Sequence, residues 1–142
     1  MPSFTTRVPD LQASGPVVEV KIAVGSALER VLSKKGTKVP VPVPALAMID
    51  TGATGTVLQP DLIQRLGLKP IGVTFIHTPS STNIRCLQYL ARLVFPSNVV
   101  VETVAIEAPL QGQHIQCLVG RDVLRLGVFI YNGYTQDFTL SF

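Results

Sequence analysis

The sequence predicts a mainly β, single-domain protein with one or two short helices, and three observations carry that expectation. Segments such as Val17–Val24 (VVEVKIAV) and Leu87–Phe95 alternate apolar with polar or small residues at the period of a half-buried strand. Short apolar runs end repeatedly in turn chemistry, as at Asn132-Gly133 between two apolar segments, which is a hairpin signal. Helix start and stop signals are confined to two short stretches, one after Gln59 and one after Gly120. With 142 residues, 46% of them apolar and 15% charged, the chain can fill one core but not two, and it falls in the globular class.

Residues 1–16 carry three prolines and little periodicity, and are expected to form an extended arm. The first strand follows over Val17–Val24, with Glu19 and Lys21 facing out. Residues 25–44 are expected to form an enlarged hairpin loop: Ala27–Leu32 fits a helical turn or a strand, and VPVPVP (Val39–Pro44) fits a sheet edge or an extended arm because proline donates nothing to a ladder. Gln59–Leu68 reads as a short helix, with Pro60 at its first position, Asp61 in its first turn, Leu62, Ile63 and Leu66 on one face and Gly67 as terminator. Ile71–Phe95 is a long β-hairpin around a polar turn, Thr78–Asn83. Val99–Ala108 is a further strand, Pro109–His114 a turn, and Ile115–Leu126 an apolar strand, Gly120 and a short helix. Val128–Phe142 is a last hairpin whose final strand would be an exposed edge unless something pairs with it.

The stretch Ala45–Thr56 (ALAMIDTGATGT) concentrates the chemistry. Five apolar residues deliver Asp50 from a buried strand into a tight loop. An acid there must be hydrogen-bonded, paired or kept for reaction, since desolvation disfavours its charge. Thr51 can bond to neighbouring backbone, and Gly52 lets backbone N–H groups approach the carboxylate.

This stretch, an apolar strand followed by Asp50-Thr51-Gly52-Ala53 and the short apolar segment Thr56-Val57-Leu58, resembles the active-site loop of the retropepsins, the single-lobe aspartic proteases related to the retroviral enzymes. A second resemblance lies about seventy residues on, in Leu118-Val119-Gly120-Arg121-Asp122-Val123-Leu124, where the family has an apolar strand, G-R-[DN] and a short helix. The resemblance implies a closed barrel with a flap hairpin, and an aspartic endopeptidase that needs no cofactor or metal. It implies Asp50 as the catalytic acid/base, supported in its loop by Thr51, Gly52 and Ala53. Gly120, Arg121 and Asp122 would brace the loop from beneath. Ile76, His77, Thr78, Pro79, Ser80, Ser81, Thr82, Asn83 and Ile84 would form the flap, although this tip lacks the glycines usual in retroviral flaps. Val57 and Leu118 would line apolar subsites for an extended peptide. In the family the terminal strands of two subunits interleave. Retroviral members often carry an acid four residues after the catalytic Asp, where it pairs with the arginine; this chain has Thr54, which leaves Arg121 to pair with Asp122, Asp61 or a residue of another subunit.

The reaction sets its own stoichiometry. Two carboxylates must face one water and share one proton. One D-T-G per chain therefore requires a homodimer.

Cys86 and Cys117 make no metal or redox spacing, and His77 and His114 stand alone, which excludes metal centres and cysteine–histidine catalysis. The net charge of +3 and the lysines Lys34, Lys35 and Lys38, without interleaved aromatics, argue against a small nucleic-acid-binding barrel. Nothing reads as a signal peptide or membrane span, so no membrane partner and a cytoplasmic protein, or a fragment of a larger polyprotein, are expected. The competing reading is a non-catalytic peptide-binding or dimerisation module with the same fold.

Overall fold

The computed structural model describes residues 2–110 and 112–142. Ten strands, four short α-helices and one 3-10 turn are arranged as a barrel with a small sheet beside it.

Strand β2 (Val17–Val24) pairs antiparallel with β3 (Val43–Ile49), in agreement with the alternation of its sequence. β3 pairs in parallel with β8 (Cys117–Val119), β8 with β4 (Val57–Leu58), β4 with β7 (Val99–Glu107), and β7 with the fifteen-residue β6 (Ser81–Phe95). β6 then pairs with β2 through Lys21↔Val94 to Val24↔Ala91. That last ladder seals six strands into a ring, which removes their free edges and gives the expected closed barrel. β5 (Gly72–Thr78) extends from β6 as the outer arm of a long hairpin.

The interior follows from period-two alternation. Tyr89, Ala91, Leu93 and Phe95 of β6 are buried and their neighbours are not, while Leu87 is half-buried. Helix α3 (Pro60–Leu66) packs against β2 and β3 through Leu62, Ile63 and Leu66, with proline at its start and Gly67 at φ 62° ending it.

Four expectations are changed or sharpened in the folded chain. Within residues 1–16, Ser3–Arg7 forms strand β1, paired over five residues with β10 (Asp137–Ser141), and Leu11–Ser14 forms a helical turn, α1. The reason is long-range: Phe4 stacks on Phe95 at 5.3 Å and meets Phe138 edge-on at 6.3 Å, contacts that local propensity does not encode. Residues 25–44 contain the helix α2 (Ser26–Lys34), capped by the bond from the Ser26 N–H to the Glu102 carboxylate and tied down by an Arg92–Glu29 ion pair; Val43 and Pro44 belong to β3. The final strand, β10, is not an edge. It lies between β1 and β9 (Val128–Asn132) in a three-stranded sheet, with Phe138 and Leu140 buried. The hairpin turn is shorter than expected, only Pro79 and Ser80 lying between the strands. The expected turn Pro109–His114 includes Gln111, which lies outside the described residues, as does Met1.

Candidate active site

Asp50 emerges from β3 where that strand runs beside β8. Its N–H donates to the Val119 carbonyl at 2.9 Å, and Oδ1 accepts the Gly52 N–H at 2.9 Å. A Cβ on Gly52 would stand 3.1 Å from that oxygen, so the absent side chain is what admits the carboxylate. Asp50 is half-buried, and Thr51 and Gly52 are exposed beside it. No protein cation pairs with the Asp50 carboxylate among the described residues.

The second motif grips this loop from behind. The Arg121 N–H donates to the Ala53 carbonyl at 2.9 Å, while the guanidinium donates to the Thr51 carbonyl at 2.7 Å and to Thr54 Oγ1 at 3.2 Å. Arg121 therefore pairs with neither Asp122 nor Asp61. Thr54, where relatives often carry an acid, still receives the fork, as a neutral acceptor. Asp122 plays a different role, since Oδ1 accepts the Thr56 hydroxyl at 2.9 Å and Oδ2 the Thr103 hydroxyl at 2.6 Å. Thr56 is wholly buried and accepts the Gly120 N–H at 3.2 Å, so one carboxylate terminates a chain of hydrogen bonds that joins β4, β7 and the Gly120 turn.

Because the acceptor at position 54 is uncharged, Thr54→Asp is expected to convert it into an ion pair with Arg121. Urea denaturation should show a gain of ~0.5 kcal/mol that shrinks with added salt, since the pair is exposed.

Strand register defines the surface beside Asp50. Met48, Leu118, Val57, Ile106, Gln88 and Gly72 are directly paired in succession across β3, β8, β4, β7, β6 and β5, so they share one face, opposite the core, and all are half-buried. Farther along the hairpin the same face carries Thr74 opposite Cys86 and Ile76 opposite Ile84. Val57 and Leu118 are thus brought together near Asp50, and Ile76 and Ile84 lie on the same sheet face. His77, Thr78, Pro79, Ser80, Ser81, Thr82 and Asn83 are exposed at the hairpin tip, where the Asn83 N–H donates to His77 Nδ1 at 3.5 Å and the Thr78 hydroxyl to the Ser81 carbonyl at 3.3 Å.

Met48, Ile106 and Thr103 escape the sequence reading, and Thr56, which it holds only as part of the loop motif, gains its role from the fold. Alternation within β3 and β7 puts Met48 and Ile106 on their outward faces, a signal of face but not of neighbourhood, since they meet Leu118 and Val57 only through register. Thr103 carries none, because only the folded register sets it against Asp122.

No cluster of His, Cys, Asp and Glu among the described residues is suited to hold a metal ion, and no helix among them is long and apolar enough to cross a membrane. Cys117 is sealed in the barrel, and burial first, then the charge of Asp122, pushes its thiol from 9.0 up to about 12. An acid whose proton is held more tightly when folded contributes stability that is intact below pH 9.0 and is lost as pH rises towards about 12. Urea midpoints should fall across that window, and less steeply in Cys117→Ala.

The family model described as aspartyl protease matches residues 36–123, more than half of the chain and both motifs. The chain belongs to the aspartyl protease family. Its fold is shared with solved structures of low identity. The EIAV protease, solved with an inhibitor, superposes with a TM-score of 0.52 at 16% identity, over 83% of this chain and 91% of that one. A retropepsin-like aspartic protease from Rickettsia conorii superposes with a TM-score of 0.53 at 14% identity, over 98% and 92%. No curated protein sequence matches this chain.

Proposed function

We propose that this protein is an aspartic endopeptidase that works as a homodimer, each subunit giving Asp50 to one shared pair. The observation that carries the reading is the Asp50 loop itself: a half-buried carboxylate oriented by the Gly52 N–H, without a cation, at the open end of a braced turn. Structural carboxylates are usually consumed by partners, as Asp122 is by two hydroxyls.

In the mechanism, one Asp50 is ionised and takes a proton from a water between the two subunits. Its protonated mate polarises the scissile carbonyl and later supplies the proton to the leaving amine. Thr51, exposed beside the carboxylate, bonds across the axis to hold the loops together; Gly52 orients substrate backbone. The peptide lies extended, its apolar side chains against Val57 and Leu118, and the hairpin tip from Ile76 to Ile84 closes over it.

A cavity of about 570 Å³, lined by Glu19, Lys21, Pro44 and Asn98, does not include Asp50. The test is incubation of the protein, beside an Asp50→Asn control, with a diverse peptide mixture from about pH 4 to about pH 7. Cuts flanked by apolar residues support the proposal. A dimer that binds peptides yet cuts none would establish the non-catalytic module instead.

A further inference from the structure

Helix α2 is fastened to the barrel by its polar side. The Ser26 N–H and hydroxyl donate to the Glu102 carboxylate at 2.8 and 3.1 Å, Glu29 pairs with Arg92, and the Arg92 guanidinium also donates to the Val24 carbonyl at 2.8 Å. Ala27, Leu28, Val31 and Leu32 recur at the three-and-four spacing of a single apolar stripe, the kind a helix normally turns to a core. None of them is buried, and Leu28 and Val31 are 39% and 46% exposed. The helix's one acid, Glu29, is taken up by Arg92. Arg30, Lys34 and, just past the helix, Lys35 and Lys38 are exposed with no acidic partner among the described residues.

The sheet under α2 continues the face that borders Asp50. Along β6 and β7 the pair Gln88↔Ile106 is followed on the same side by Leu90↔Val104 and then Arg92↔Glu102, the pair that holds the helix. Val104 is 40% exposed. Helix and sheet adjoin closely, since a Cβ on Gly25, at the head of α2, would stand 3.0 Å from Leu90 Cδ2.

We propose that α2 and the Leu90–Val104 patch form a recruitment surface for protein substrates, taking a segment in which acidic and apolar residues are interleaved. This rests on the endopeptidase reading and adds a requirement remote from the cut. Gln88 and Arg92 are four residues apart on an extended strand, ~13 Å, so a substrate leaving the cleft along β6 spends about four residues before its next stretch meets the apolar stripe and its basic rim. Four unpartnered cations beside exposed leucine and valine complement an acidic, apolar segment in both charge and hydrophobicity. An anionic bilayer is the poorer fit. A nine-residue helix with two exposed apolar side chains offers little to bury in lipid, and the rest of the patch lies on a second element.

The probe is a fluorescein-labelled peptide of alternating Glu and Leu, titrated by anisotropy into the Asp50→Asn protein so that nothing is cut. Its binding should weaken with added salt, and at least about fivefold in the double variant Lys34→Gln, Lys35→Gln and in Val31→Gln, each with unchanged circular dichroism. Lys69→Gln, an exposed lysine away from this surface, should bind as before. With the active protein, an apolar core peptide is compared with the same core carrying the Glu–Leu segment beyond a four-residue spacer, at either end. Wild type should prefer the extended peptide about tenfold in kcat/KM, through KM, and the double lysine variant should bring that ratio to about one. Probe binding that ignores the α2 variants, that falls equally in Lys69→Gln, or that is absent while phosphatidylserine vesicles bind through the same lysines would overturn the proposal. Equal cleavage of core and extended peptides would overturn it too and leave the endopeptidase reading standing. Probe binding that obeys the α2 variants, with neither peptide cut, would uphold the docking surface and remove the endopeptidase reading alone.

Discussion

Asp50→Asn is expected to lower kcat/KM for peptide cleavage by at least about 10³-fold while leaving the protein folded and its mass unchanged. The asparagine Oδ1 can still accept the Gly52 N–H, and the bond from the residue 50 N–H to Val119 is backbone, so the loop keeps its geometry. What disappears is the exchangeable proton: an amide neither accepts one from water nor shares one with its mate. The readings are cleavage kinetics, circular dichroism and sedimentation in parallel. Cleavage at the wild-type rate by a folded variant would remove Asp50 from the chemistry, whatever the dimer does.

Gly120→Ala should be strongly damaging for a single-methyl change. An added Cβ would come within 2.5 Å of both the carbonyl carbon and the oxygen of Gly55, and backbone atoms cannot swing aside as a long side chain would. Gly120 has φ −93°, which any residue adopts, so the cost is steric and not conformational. Separating the two turns also stretches the Gly120 N–H bond to Thr56, whose hydroxyl is wholly buried. Destabilisation of about 3 kcal/mol is expected from overpacking of this kind, with cleavage lost even where the variant stays folded. Urea titration followed by assay below the unfolding midpoint separates the two effects. A variant as stable and as active as wild type would mean that the turns are not held in contact.

The elements of this fold were legible in the sequence wherever one face is buried, because alternation then has a physical cause. β2 and the buried half of β6 are examples, and α3 shows its start and stop residues plainly. What could not be read were pairings between distant segments. Ser3–Arg7 has strand-like composition, but only the ring contacts of Phe4 give it a place beside β10. Helix α2 was ambiguous for a different reason: the segment is short and none of its residues is fully buried. At the candidate site, local chemistry marked the Asp50 loop and the resemblance pointed to its brace, whereas the hydrogen-bond partners were not legible. Arg121 finds Thr54 and not a carboxylate, and Asp122 finds Thr103 across the fold; both outcomes depend on register.

The ladder between β2 and β6 closes the barrel within one chain. Under the proposed mechanism, shape and competence then arise on different schedules. Acquiring the barrel is first order in protein, while making the paired carboxylates is second order. A dilute population would be correctly shaped and silent, and a modest rise in dosage would switch it on more than proportionately. The same separation protects the cell that makes it, because newly synthesised chains would stay latent until enough of them had accumulated to meet.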